Sequence, residues 1–260
     1  MKLSIIIPVY NSSKILRILI ESIKKFTPYD INSTEVILIN DYSLDDSWDK
    51  IKILKNKFNF IKGINLKKNY GQHSAIFCGL KLCKGEYIIC MDDDMQHHPM
   101  YISKILQELK KYDVCYVKYL NREHNFFKII ISKLNNIISS YLMNKSYKIY
   151  TSSFKGLTKK LNKKITKSDE NFIFLDYLIF KNTNLITSVN VPHNKRLLGH
   201  TNYGFRQLLT LWSKMIFLIE PGKQDFRFYI VKFIRFFFKL FLKKYINLTS
   251  KERIKILEII

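Results

Sequence analysis

The sequence predicts an α/β protein: a mostly parallel sheet with flanking helices, plus C-terminal amphipathic helices. Two observations carry this. Over the first 118 residues, short apolar runs alternate with amphipathic stretches of helical length, the pattern of right-handed βαβ units. The runs also end in polar residues ("PVYN", "NDYS", "KKNYGQH", "MDDDMQ"), and sheets of this kind bind ligands beyond the carboxyl ends of their strands.

Taken in order, "LSIIIPVY" reads as a buried strand and "SKILRILIESIKKF" as a helix with apolar residues at helical spacing. "EVILIND" is a second strand, "DDSWDKIKILKNKF" a second helix and "IKGINLKKN" a third strand. "HSAIFCGLKLC" is helical, "EYIICMDD" a fourth strand, "PMYISKILQELKKY" a helix opened by Pro99, and "DVCYVKYL" a fifth strand. After residue 119 comes a long basic and apolar helical stretch, "NREHNFFKIIISKLNNIISSYLMNK". A short "YKIYTSSFKGLTKKL" segment, "ENFIFLDYLIFKN" and a strand-like "ITSVNVPH" follow. From Tyr203 onward the chain reads as helical and rich in Phe, Leu, Ile and Lys. We divide it into a domain over 1–222 and a basic amphipathic helical tail over 223–260. In "FRFYIVKFIRFFFKLFLKKY", Lys232, Arg235, Lys239 and Lys243 fall within roughly a quarter of the helical circle, opposite a wide aromatic face. Such a helix suits an anionic membrane surface; packing on the core is the other reading.

The 260 residues suffice for one large domain, and with 47% of them hydrophobic, global disorder is excluded. A formal net charge of +23 implies an anionic partner: nucleic acid, an acidic membrane face or a phosphorylated substrate. There is no zinc-finger, RNP-like or helix-turn-helix signature, and an acidic knot would repel a phosphate backbone, so nucleic acid is not expected. No GxGxxG follows the first strand, which argues against a dinucleotide-dependent oxidoreductase. Cys78, Cys83, Cys90 and Cys115 show no metal-binding spacing and read as reduced core thiols. Pro8 interrupts the N-terminal apolar run, and no apolar stretch approaches the roughly 20 residues that span a bilayer. The expected location is the cytoplasm, peripherally on the cytoplasmic membrane face.

The acidic knot is Asp92, Asp93 and Asp94, straight after the fourth strand. At a strand end Asp92 and Asp94 can converge, and two hard oxygen ligands with open positions suit Mg²⁺ or Mn²⁺ held jointly with a diphosphate. Asp41 ends the second strand, where a carboxylate can accept hydrogen bonds from a nucleobase; Pro8 and Tyr10 can shape a base pocket at the end of the first.

Together "IIIPVYN", "NDYSLDDS", "NYGQHSA" and "DDDMQHHP", in this order and spacing, resemble the family 2 glycosyltransferases of the GT-A, Rossmann-like fold, and within them the polyprenyl-phosphate branch. The resemblance covers roughly residues 1 to 210. It implies inverting, metal-dependent transfer from a UDP- or GDP-sugar to a polyprenyl phosphate or lipid-linked acceptor. Pro8, Tyr10, Asn11 and Asp41 would hold base and ribose, with Gly71 and His73 beside the nucleotide. Asp92 and Asp94 would hold the metal and diphosphate, with Asp93 also at the nucleotide sugar and Gln96 as a further metal or sugar contact. "HNKRLLGHTNY" would place Arg196 over the diphosphates, with Gly199 and Tyr203 shaping that element, while Arg122 and Lys128 would meet the acceptor phosphate. A sugar hydroxyl acceptor would instead need a carboxylate base, for which Asp169 or Glu170 is available. The chain departs from the family pattern at Ser12 and Ser13, where a glutamate is usual, at Tyr42, where glycine is, and at Thr201 and Asn202. His97 and His98 read as structural loop residues, His193 as a second site candidate, Asp45 and Asp46 as caps of the second helix, and Trp48 and Trp212 as core.

Overall fold

The computed structural model describes residues 1–120, 140, 149–167, 174–192 and 254–260. Its strands are β1 (Leu3–Val9), β2 (Thr34–Asn40), β3 (Ile61–Leu66), β4 (Tyr87–Cys90), β5 (Val114–Leu120), β6 (Lys155–Thr158), β7 (Ile186–Pro192) and β8 (Ile256–Ile259). The helices among these residues are α1 (Leu16–Phe26), α2 (Ser47–Lys57), α3 (Gln72–Leu82), α4 (Ile102–Glu108), α5 (Lys159–Thr166) and α6 (Leu175–Asn182). The strands form one sheet in the order β7-β5-β6-β4-β1-β2-β3-β8. β1 pairs in parallel with β2 and β4, β2 with β3, and β5 with β7. β6 runs antiparallel between β4 and β5, and β8 antiparallel along β3.

Helices cover both faces, which is why β1 and β2 are buried at every position and read as unbroken apolar runs. The two-residue strand period divides the core into two layers. Leu3, Ile5, Ile7 and Val9 meet Leu16, Leu19, Ile20 and Ile23 of α1, Ile51 and Leu54 of α2, and Ile102 and Ile105 of α4. Ile6, Ile37 and Ile39 meet Ala75, Ile76 and Leu80 of α3, Leu161 and Ile165 of α5, and Leu178 and Ile179 of α6. Each fully buried aliphatic side chain contributes about 1.5–3 kcal/mol. In α1 the buried residues recur at helical spacing, while Lys24 and Lys25 lie in its last turn, where cations favour the helix dipole. Pro99 opens a single 3₁₀ turn, Pro99–Tyr101, ahead of α4, and His98 Nδ1 accepts the Met100 amide there at 3.2 Å.

The core cysteines behave as expected: Cys78, Cys90 and Cys115 are buried and Cys83 half-buried, all free, and burial pushes the Cys90 thiol up to about 12. Among the described residues, no helix is long and apolar enough to cross a membrane.

One expectation is corrected. Residues 256–259, read from sequence as part of a helical remainder, form β8. Gly63 and Ile260 exchange main-chain bonds at 2.9 Å, and Trp48 Nε1 donates to Glu258 Oε2 at 3.1 Å. The end of the supposed tail therefore belongs to the sheet: "KILEII" carries β-branched residues that a sheet edge accepts as readily as a helix does. Trp48, expected in the core, is partly buried and bonded to this strand. The stretch 223–253, with its basic stripe, and Trp212 lie outside the described residues.

β6 depends on Gly156. A Cβ there would sit 2.3 Å from Cγ2 of Ile105 and 2.9 Å from Cδ1 of Leu109, so α4 can approach β6 only over a bare backbone. Gly156→Ala is expected to lower stability by about 1–3 kcal/mol, seen as a lower Tm. An unchanged Tm would show that α4 can withdraw without loss.

Candidate active site

The chain leaves β1, builds β2 and β3 on one side, then returns to place β4 on the other side of β1. The order of strands reverses there, and the crevice outside the carboxyl ends is the natural ligand position. The loops after β1, β2, β3 and β4 all open at that edge.

The β1 and β2 loops are laced together. Asn11, at φ 54°, donates its amide to Ser43 Oγ at 3.0 Å and accepts the Leu44 amide on Oδ1 at 2.8 Å. The Ser12 amide donates to Ser47 Oγ at 2.9 Å and the Ser13 amide to Asp45 Oδ2 at 3.1 Å. The main-chain amides at the two positions that depart from the family pattern thus fasten these loops. Asp45 also accepts the Ser47 amide and hydroxyl, whereas the N-cap, Asp46, makes no side-chain capping bond. The reading of both aspartates as caps is corrected to that extent. Pro8 lies inside β1 opposite Ile39, and Tyr10 is 40% exposed at the rim.

Asp41 is only 3% exposed. Its Oδ1 accepts the Tyr70 amide at 2.7 Å and its Oδ2 the Gly71 amide at 2.8 Å. Burial raises its proton affinity, and these two amides offset part of that. The carboxylate that the sequence assigns to a nucleobase therefore already fastens the β3–α3 loop, and each oxygen keeps a second acceptor position. Gly71 is required by its φ of 85° rather than by crowding, since nothing lies within 4 Å of a Cβ there.

The acidic knot is held from several segments. Asp92 accepts Gln72 Nε2 on Oδ1 at 2.5 Å and Ser153 Oγ on Oδ2 at 2.8 Å. The Asp92 amide donates to His97 Nδ1 at 2.9 Å, and the His97 ring stacks on Phe154 at 5.0 Å and Tyr119 at 5.9 Å. Asp93 Oδ2 accepts the Tyr10 amide at 3.3 Å. Desolvation, reinforced by Asp92 and Asp94, pushes the Asp93 carboxyl up to about 7 against the opposing bonds from Ser12 and Tyr10. Asp94 Oδ1 accepts the Gln96 amide at 3.0 Å across Met95, at φ 62°. The Gln96 carbonyl accepts Tyr119 Oη at 3.4 Å. His97 and His98 are structural, as the sequence suggests.

Among the described residues, no group of three or more His, Cys, Asp or Glu side chains forms a ready metal cage. The donors on this turn are hard oxygens, and burial together with the neighbouring Asp92 and Asp94 raises the proton affinity of Asp93. That suits Mg²⁺ or Mn²⁺, which complete their shells with water and substrate oxygens.

His73 packs its ring against Phe174 at 4.6 Å. Burial holds it down at about 4, and its Nδ1 has no hydrogen-bond partner. Beneath the knot lies a buried cluster that the sequence reading missed: Lys155 Nζ and Tyr116 Oη, the latter at 2.8 Å, both donate to Asp176 Oδ1. Gln72 and Ser153 were missed as well; "NYGQHSA" and "TSSFKG" hold their polar side chains, but no spacing rule links them to Asp92. Arg122, Lys128, Asp169, Glu170, His193, Arg196, Gly199, Thr201, Asn202 and Tyr203 lie outside the described residues.

A family model described as Glycosyl transferase family 2 matches residues 4–166. The undecaprenyl-phosphate 4-deoxy-4-formamido-L-arabinose transferase of Photorhabdus laumondii is 28% identical over 217 residues, covering 83% of this chain and 67% of that protein. The enzyme of that name from Yersinia enterocolitica is 29% identical, with 83% and 66% covered. The chain thus spans about two thirds of the length of these relatives. Glucosyl-3-phosphoglycerate synthase from Mycobacterium tuberculosis, solved with Mn²⁺, UDP-glucose and phosphoglyceric acid, superposes with a TM-score of 0.60 at 15% identity, covering 85% of this chain and 81% of that one. Staphylococcus aureus TarS with UDP-GlcNAc gives a TM-score of 0.52 at 20% identity, covering 86% and 68%. These structures share the mixed α/β fold.

Asp93 gives the site a testable pH dependence. Unfolded, its carboxyl titrates near the ordinary value of about 3.9; folded, it does so at about 7. As pH rises the unfolded chain releases this proton first, so its stabilising contribution is complete below about pH 4 and is lost as pH climbs through about 7. For metal-free protein, Asp93→Asn is expected to gain in Tm relative to wild type across that interval, levelling off above it. A Tm difference that does not change with pH would count against a desolvated carboxyl.

Proposed function

The chain belongs to glycosyl transferase family 2 and is a glycosyltransferase of the GT-A fold; from this premise we propose that it transfers a sugar from a UDP- or GDP-sugar to a polyprenyl phosphate or lipid-linked acceptor, with inversion at the anomeric carbon. The observation that carries the reading is the set of carboxylates Asp92–Asp94, meeting the loops after β1 and β3 where the strand order reverses. The names of the curated relatives support an undecaprenyl-phosphate acceptor.

Asp92 and Asp94, with Gln96, would hold Mg²⁺ or Mn²⁺. When bound, that cation would supply charge stabilisation to the diphosphate; the M. tuberculosis enzyme solved with Mn²⁺ and UDP-glucose supports this reading. The chain's own residues do the rest. The rim of Tyr10 and the Asp41-fastened turn at Tyr70 and Gly71 receives the nucleoside. Arg196, with Tyr203, would meet the leaving diphosphate. Arg122 and Lys128 orient the acceptor phosphate. One of its oxygens forms the bond to the anomeric carbon as the bond from that carbon to the diphosphate oxygen breaks, and nucleoside diphosphate leaves. A phosphate acceptor is already anionic near neutral pH, so positioning matters more than a general base. A lipid-phosphate acceptor also gives reason for peripheral attachment to the cytoplasmic membrane face, with an anionic membrane surface as partner.

The test is to incubate the protein with Mn²⁺ or Mg²⁺, labelled nucleotide sugars and undecaprenyl phosphate. Label should move into organic solvent; hydrolysis to free sugar alone would reject the lipid acceptor. Asp94→Ala is expected to lower metal-dependent release of nucleoside diphosphate by about 10²–10³-fold, the equivalent of several kcal/mol of charge stabilisation. Unchanged turnover would remove the metal role.

A further inference from the structure

Asp92 is bound to two segments distant in sequence and to its own turn. Gln72 Nε2, from the first residue of α3, holds Oδ1 at 2.5 Å. Ser153 Oγ, from the segment entering β6, holds Oδ2 at 2.8 Å. His97 Nδ1 fixes the backbone of the same residue at 2.9 Å. We propose that Gln72 and Ser153 are positioning residues for the transfer assigned above: they set the Asp92 carboxylate in one orientation before cation and donor arrive. The inference rests on that functional reading.

The physical reason is electrostatic. Asp93 and Asp94 stand next in the chain, and without a restraint Asp92 would rotate its charge away from theirs. Two donors on opposite oxygens oppose this and fix the carboxylate plane. Each oxygen still has an acceptor position for a metal ion or a ligand hydroxyl. Because the donors come from α3 and from the approach to β6, the orientation depends on the assembled sheet rather than on the local turn. Partners of this kind around a metal-binding carboxylate change affinity by about 10–100-fold when removed.

The experiment uses the full chain with UDP or GDP and follows Mn²⁺ binding through loss of the free-ion EPR signal. Gln72→Ala and Ser153→Ala are each expected to raise the Mn²⁺ Kd by roughly tenfold or more, with donor KM rising more than kcat falls. Ser153→Thr, which keeps the hydroxyl, should bind close to wild type. Circular dichroism checks folding, and the near-isosteric Gln72→Met replaces the alanine variant if that one unfolds. Folded donor-less variants that bind Mn²⁺ as tightly as wild type would overturn the inference and leave the transferase reading standing. A wild-type protein that takes up no Mn²⁺ in the presence of either UDP or GDP would overturn the inference together with the metal role proposed for Asp92 and Asp94.

Discussion

Three adjacent carboxylates cannot share the end of one strand unless other groups compensate them, and most of the site is arranged around that constraint. Two like charges about 4 Å apart repel by about 4 kcal/mol at the effective dielectric of a protein surface. The fold answers with donors from every neighbouring segment: the Tyr10 amide after β1, Gln72 at the start of α3, Ser153 before β6 and the Gln96 amide within the turn. Desolvation, with Asp92 and Asp94 adding to it, still raises the proton affinity of Asp93. An arrangement that concentrates acceptors without fully neutralising them is suited to a cation arriving from outside.

The backbone carries a matching constraint. Asn11, Tyr42 and Met95 adopt left-handed φ of 54°, 62° and 62°, each shortly after β1, β2 or β4. Asparagine tolerates this region, but Tyr and Met accept it at a cost of about 1–2 kcal/mol. The surroundings determine these conformations. Asp41, before Tyr42, is pinned by the Tyr70 and Gly71 amides, and the Ser43 amide after it bonds Asn40 Oδ1 at 3.3 Å. Met95 is buried, between Asp94 and the Gln96 amide that Asp94 accepts. Such strain collects where strands must end abruptly and turn their loops toward one crevice.

This explains what could be read from sequence. β1 to β5 were legible because a parallel sheet buried on both faces needs continuous apolar runs, and the polar strand ends then had to share an edge. β6 and β8 were not. "KGLT" has a glycine demanded by α4 and a lysine whose charge is met by Asp176 from α6, and "ILEI" has no partner until β3 is in place. Within the site, the acidic residues were visible as a local cluster. Their donors were not, because Gln72 and Ser153 reach Asp92 across 20 and 61 positions of chain. Asp41 was legible as a carboxylate ending β2, but its engagement with the β3–α3 loop follows only from how far that loop folds back.

The layer under the knot completes the electrostatic picture. Lys155 stands opposite Cys90, the last residue of β4, and its ammonium meets Asp176 and lies 5.0 Å from the Tyr116 ring centroid. Taking either member of such a buried pair away leaves an unmatched charge, at a cost of about 3–5 kcal/mol, so the cluster locks α6 to β5 and β6. Burial, together with Asp176, raises the Tyr116 hydroxyl far above its usual value, and burial keeps His73 neutral down to about pH 4. Neither group changes charge near neutrality. These groups under the site hold their charge near neutrality, and the one that titrates there, Asp93, sits above them. Binding at the rim can then alter the field at the end of β4 without disturbing the packing that holds the strand in place.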